Sequence, residues 1–170
     1  EDGIAALKDV EGRMTKVDEG QAFDVIVDYA HTPDSFEKLF KDMKTVVKGK
    51  TIVLFGSLGG GDKGKRPLQG ELAGKYADIV VITEEDDRHE NPEIIMNDIA
   101  KGAEKAGKVR DKDLFLVHNR SEAIKLAFSK AKKGDTVLLL GKGHEKTIEG
   151  NDGERPWNEV KEAQKALRKH

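Results

Sequence analysis

Five short apolar runs recur along the chain: FDVIVDY, TIVLFG, DIVVIT, DLFLVH and DTVLLLG, beginning at Phe23, Thr51, Asp78, Asp113 and Asp135. None alternates strictly between apolar and polar residues. A strand with one face in water must alternate, so these runs predict strands covered on both faces, the condition of a parallel sheet. Helical periodicity fills the gaps between them. Phe36, Leu39, Phe40, Met43 and Val47 share a stripe over 34–47, and Leu68, Leu72 and Tyr76 share one over 67–76. Ile95, Ile99 and Ala103 do so over 92–106, and Ile124, Ala127 and Phe128 over 121–131. The tail, 157–169, reads as a last helix. Pro33, Pro67 and Pro92 sit where a first helical turn accepts proline. The alternation predicts an α/β fold: a Rossmann-like, doubly wound, mostly parallel sheet of about six strands with helices on both faces. The first twenty residues are expected to supply a small extra strand or an entry segment.

With 170 residues the chain is long enough for one domain with a real core, taken as 1–170. Thirty basic residues face 32 acidic ones, a net charge of −2, so neither nucleic acid nor an anionic membrane is expected as the main partner. The absence of cysteine excludes disulfides and thiolate metal sites. No apolar run approaches the ~20 residues of a membrane span, and the opening EDGIAALKDV does not read as a signal peptide. A cytoplasmic protein is therefore expected. The chain opens without Met, in mid-pattern, and is expected to be a piece of something longer.

Open α/β sheets bind ligands beyond the carboxyl ends of their strands. Read in that light, the residues following each strand are rich in chemistry. The first strand ends in Asp28, Tyr29 and His31, and the second in GSLGGGDKGKRP. The third ends in TEEDDRHENP, the fourth in His118, Asn119 and Arg120, and the fifth in GKGHE, Gly141 to Glu145. Gly59, Gly64 and Lys65 have the spacing of a phosphate loop. However, the position that needs Ser or Thr for Mg²⁺ holds Arg66, followed by Pro67. A true phosphate loop is not expected. Arg66 remains suited to a bidentate pair with a carboxylate or phosphate. Glu85, Asp86 and Asp87 beside Arg88 offer both signs of charge, the requirement of a zwitterionic amino acid. The spacing of a zinc site is missing, so no metal ligands are expected in this chain.

VDYAHTPDSFEKLF, GDKGKRPLQGELA, the acidic loop with Arg88, NRSEAI and LLGKGHE occur in that order. Together they resemble the C-terminal domain of the Mur ligases, of the MurE or UDP-N-acetylmuramoyl-tripeptide synthetase type, over nearly the whole chain. The resemblance implies an enzyme with two further domains: an N-terminal UDP-binding domain and a central ATPase, which would carry the phosphate loop and the Mg²⁺ ligands. It implies ATP-dependent ligation. The carboxylate of UDP-N-acetylmuramoyl-L-alanyl-D-glutamate would become an acyl phosphate, attacked by the amine of meso-diaminopimelate or L-lysine. The domain by itself would be inactive. Arg13, Asp28 and His31 fall on the family's nucleotide contacts. Arg66 falls on a carboxylate grip for the incoming amino acid, and Gly141 and Glu145 on the holder of that residue's far end. Two positions depart from the family pattern. Glu85-Asp86-Asp87-Arg88 stands for Asp-Asn-Pro-Arg, and Gly59-Gly60-Gly61 stands where Gly-Asp-Arg is common. Arg88 favours diaminopimelate, whereas the extra acids favour the ammonium of lysine. A stand-alone ligand-binding or regulatory domain with this fold but no catalysis is the alternative, and a free phosphotransferase using the glycine loop is a weaker one.

Overall fold

In a computed structural model, which describes residues 13–170, the five runs form five parallel strands. They are β2 (Asp24–Asp28), β3 (Thr51–Phe55), β4 (Ile79–Ile82), β5 (Leu114–Leu116) and β6 (Thr136–Leu140). The short strand β1 (Thr15–Val17) pairs antiparallel with β2 at the edge, so the entry segment is a strand. The sheet order is β1-β2-β6-β3-β4-β5. The helices are α1 (Pro33–Lys44), α2 (Lys65–Tyr76), α3 (Pro92–Lys105), α4 (Arg120–Lys130) and α5 (Glu159–Arg168).

Both faces of the sheet are covered. Ile26, Val53, Phe55, Val80, Ile82, Leu138 and Leu140 meet α1, α2 and α3. Val25, Val27, Ile52, Leu54, Val81, Val137 and Leu139 meet α4 and α5. The division follows from handedness. The crossovers β2–α1–β3, β3–α2–β4 and β4–α3–β5 step in one direction along the sheet, so right-handed connections place their helices on one face. The return from β5 to β6 reverses direction and places α4 on the other. Because β6 inserts between β2 and β3, the loops after β2, β6 and β3 adjoin at the carboxyl edge.

Local chemistry sets the helix ends. Thr32 caps α1 in a reciprocal capping box with Ser35, and Pro33 follows as its first residue. Asn91, Asn119 and Asn158 cap α3, α4 and α5. One expected stripe differs. Leu68 is 51% exposed, and α2 instead buries Arg66, Gln69, Gly70, Ala73 and Gly74. The reason is close packing on α3: a Cβ on Gly70 would fall 1.9 Å from the Ile99 carbonyl oxygen, and one on Gly102 would fall 1.9 Å from that of Pro67. Glycine, not leucine, makes this contact.

A β-hairpin, β7 (Thr147–Gly150) and β8 (Gly153–Pro156), lies between β6 and α5 and was not expected. Its signal is Asn151-Asp152-Gly153, a turn sequence that favours hairpins. Among the described residues, no helix is long and apolar enough to cross a membrane.

Candidate functional site

The carboxyl edge begins at Asp28. Its carboxylate accepts the Ala30 amide at 2.8 Å and the Met14 amide at 2.9 Å, which ties the end of β2 to the entry segment. Beside it opens a groove of about 610 Å³, lined by Arg13, Asp28, Tyr29, His31, Ser35 and Lys38 among others. The three residues expected at a nucleotide therefore line one groove. Gln69 of α2 braces the turn by donating to the His31 carbonyl at 2.8 Å.

Tyr29 joins this groove to a second feature. Its ring lies 4.7 Å from that of His31 and 5.0 Å from that of His144. Burial, and then the neighbouring Glu145 carboxylate, raise its phenol above the usual tyrosine range. On the far side, Glu85, Asp86 and Glu145 gather with Lys142 in a largely buried cluster of charged side chains. The Lys142 ammonium is fully buried and donates to Glu145 at 2.7 Å and Asp86 at 3.1 Å. Asp86 also accepts the Glu149 amide of the hairpin at 2.7 Å. Glu85 is buried against Gly141, whose φ is +102° and where a Cβ would fall 2.9 Å from a Glu85 carboxylate oxygen. Burial raises the Glu85 carboxyl above its usual range, while Arg120, Lys142 and Lys65 pull it down through space. Gly141, Glu145, Glu85 and Asp86 are thus brought together as expected neighbours. Lys142 stands between two glycines, Gly141 and Gly143, and no sequence pattern singles it out.

Arg66, expected at a carboxylate of the amino acid, meets carboxylates of the protein itself. The Arg66 guanidinium is fully buried and forks onto Glu90 at 2.8 and 2.8 Å. It also reaches Asp98 at 3.2 Å and the Leu58 carbonyl at 3.1 Å. The Gly60 amide donates to the same Glu90 at 2.9 Å. The guanidinium fork, followed by the Gly60 amide, holds the Glu90 carboxyl down at about 2. The anion in this loop is the protein's own. Gly59 is there for a related reason: a Cβ would fall 1.7 Å from the Asp87 carbonyl oxygen, and its amide donates to Asp86 at 2.7 Å. The loop that resembles a phosphate cradle packs against the acidic loop.

Arg88 takes no part in the contacts of the Lys142 cluster. It is exposed, at φ +47°, with its guanidinium 3.4 Å from Glu149. His89 follows at φ +66°. Two consecutive non-glycine residues in this region carry strain of about 1–3 kcal/mol each. The Arg88 amide bond to Glu149 and the Glu90 amide bond to Asp87 hold the turn. Asp87 is also turned away from that cluster and meets His118 at 2.7 Å. Burial raises its carboxyl above the usual range. Glu84, Asp87 and His118 are the one group of three among the described residues with metal-ligand proximity. Arg155 and the Arg120 amide already engage Glu84. Arg120 itself is fully buried, bonded to Glu159, the Glu84 carbonyl and the Leu140 carbonyl. It is a brace between loops. Ser57, buried at the end of β3, has a hydroxyl without a partner among the described residues.

Residues 12–143 match the family described as Mur ligase, glutamate ligase domain. This chain belongs to the Mur ligase family. A UDP-N-acetylmuramyl-tripeptide synthetase of Roseiflexus sp. is 48% identical over 96% of the chain and 33% of its own length. A UDP-N-acetylmuramoyl-L-alanyl-D-glutamate–2,6-diaminopimelate ligase of Clostridium acetobutylicum is 45% identical over 85% of the chain and 29% of its own. A solved structure of a ligase with the latter name superposes with a TM-score of 0.84 at 34% identity, covering 99% of this chain and 34% of that one. The chain therefore spans about a third of the relatives it matches, and it is the Mur ligase C-terminal domain that they share.

Proposed function

We propose that this chain is the amino-acid-presenting domain of an ATP-dependent ligase of peptidoglycan precursor synthesis. The full protein would add meso-diaminopimelate or L-lysine to UDP-N-acetylmuramoyl-L-alanyl-D-glutamate. The observation that carries this reading is the adjacency, through Tyr29, of the Arg13–Asp28–His31 groove and the charged cluster of Glu85, Asp86, Lys142 and Glu145 beside Gly141. Asp28 keeps a lone pair on each oxygen for ribose hydroxyls after its two amide bonds. Arg13 and Lys38 supply cations for a phosphate chain in a groove that also carries Asp28 and Asp42.

The reaction implied by the family transfers the γ-phosphoryl group of ATP to the acceptor carboxylate. The amine then attacks the carbonyl carbon, the amide forms, phosphate leaves and the amine loses a proton. The work of this domain is to orient the amine and exclude water, which lowers the barrier by proximity. Arg88, exposed and held by a single long contact, is available to a carboxylate of the amino acid. Glu145 is assigned its far end. Arg66 acts at one remove, fixing Glu90 and the glycine loop. The one trio with metal-ligand proximity among the described residues lies at Glu84, off the nucleotide groove. The family resemblance assigns the ligands of a catalytic Mg²⁺ to the central ATPase domain of the full-length protein.

The test is an assay of the full-length protein with ATP, the UDP-muramoyl dipeptide and each amino acid in turn, reading phosphate release and product mass. ATP- and amino-acid-dependent tripeptide formation, with none by this domain alone, is expected. ATP hydrolysis without amide formation for every amino acid would overturn the reading.

A further inference from the structure

We propose that Glu84, Asp87 and His118 bind one divalent transition-metal ion of the zinc class, which ties the loop after β4 to the loop after β5. The site is separate from the nucleotide groove and does not depend on the amino-acid-presenting role above.

Three donor atoms converge there. Asp87 Oδ2 lies 2.7 Å from His118 Nε2, and Glu84 Oε2 lies 3.6 Å from the same nitrogen. All three ligand atoms fall within 4.8 Å of one another. Zinc bonds to imidazole nitrogen and carboxylate oxygen are about 2.0–2.2 Å, which sets ligand atoms about 3.3 Å apart in a tetrahedron. The observed spacings bracket that value. The Glu84 and Asp87 side chains are each 3% exposed, whereas that of His118 is 45% exposed, so an ion can enter from the His118 side and the ring can adjust to it. The backbone beneath is braced. The His118 carbonyl accepts the Thr83 hydroxyl at 2.9 Å and the Glu84 amide at 3.2 Å.

The charges leave room for a cation. Burial raises the Asp87 carboxyl, His118 draws it down, Glu84 raises it further and Arg155 lowers it. Arg120 is already neutralised by Glu159. Two buried carboxylates against Arg155 leave one negative charge when His118 is neutral. Arg155 does not block the site. Arg155 and the Arg120 amide both bond to Glu84 Oε1, while Oε2 faces His118 at a distance too long for a hydrogen bond. A carboxylate held by outer partners on one oxygen and open on the other is how a metal ligand is oriented. The ion would replace the proton between His118 Nε2 and Asp87, with the neutral imidazole keeping its proton on Nδ1. A donor set of one imidazole and two carboxylates suits zinc better than Mg²⁺, which prefers oxygen alone.

The experiment uses the full-length ligase, stripped with a chelator and kept in excess Mg²⁺ without nucleotide. Zn²⁺ is titrated by calorimetry into the wild type, His118→Ala and Glu84→Gln. The wild type is expected to bind a Zn²⁺ ion that His118→Ala weakens by about 100-fold or more, beyond the loss of an outer partner. Glu84→Gln keeps an acceptor for Arg155 and the Arg120 amide but loses the charge, and is expected to weaken the same ion by about tenfold or more. X-ray absorption of the zinc-loaded wild type should show imidazole nitrogen and carboxylate oxygen at about 2.0–2.2 Å. No zinc binding by the wild type overturns the proposal, because Arg155 and a proton on His118 would then satisfy the acids. Zinc binding left unchanged by His118→Ala or by Glu84→Gln overturns it as well, because the ion would then lie elsewhere.

Discussion

Replacing Arg66 by methionine separates a brace from a substrate contact. The substitution keeps an unbranched apolar stem but removes the cation shared by Glu90 and Asp98 and all four side-chain bonds of Arg66. Removing one partner of a buried ion pair costs about 3–5 kcal/mol. Here the stranded acids have side-chain exposures of 14% and 26%, so water can partly replace the guanidinium, and the lower end, about 3 kcal/mol, applies. For a domain of this size that corresponds to a fall in Tm of about 6–12 °C. Trp157, the single tryptophan, is buried and donates to Glu159, so its fluorescence reports unfolding. The pH dependence supplies a second signature. The Glu90 carboxyl is lowered from 4.5 to about 2 in the folded state. Its contribution is thus complete above about pH 4.5 and is lost as the pH falls toward 2. Since the variant lacks that contribution, the stability gap between the two proteins should close over that window. An unchanged Tm, with a raised KM for the amino acid in the full-length ligase, would refute the reasoning and return Arg66 to the ligand.

Three other outcomes follow from the same geometry. Gly102→Ala places a Cβ against the Pro67 carbonyl, forces α2 from α3, and should lower stability by about 2–4 kcal/mol in urea denaturation, more than Gly107→Ala, where only the positive φ is at stake. Gly141→Ala meets both a φ of +102° and the Glu85 carboxylate, so amino-acid affinity of the full-length ligase, read by calorimetry, should drop about tenfold or more. Asp28→Asn presents an N–H₂ to either the Met14 or the Ala30 amide, and should raise KM for ATP while sparing KM for the amino acid.

The strands were legible because β3 and β6 are buried at every position and, after an opening threonine, are apolar throughout. The pairing of α2 with α3 was not, because glycine contacts have no hydrophobic signature. The stripe argument picked Leu68, which faces water. At the site, Asp28, Gly141 and Glu145 stood out as polar or glycine residues directly after buried strands. Glu90 and Lys142 did not, since an acid or a lysine in a polar loop reads as solvated until a partner from another loop is seen. Arg66 stood out for its chemistry, but its carboxylate partner, Glu90, lies 24 residues away, a distance at which the sequence shows no pairing.

The most direct measurement is a crystal structure of the full-length ligase with an ATP analogue and its amino acid. The account predicts the amino acid at the carboxyl edge of β2, β6 and β4, its side-chain ammonium at hydrogen-bond distance, about 3 Å, from Glu145, and the nucleotide ribose beside Asp28. An amino acid bound away from that edge, or a nucleotide remote from Asp28, would contradict it.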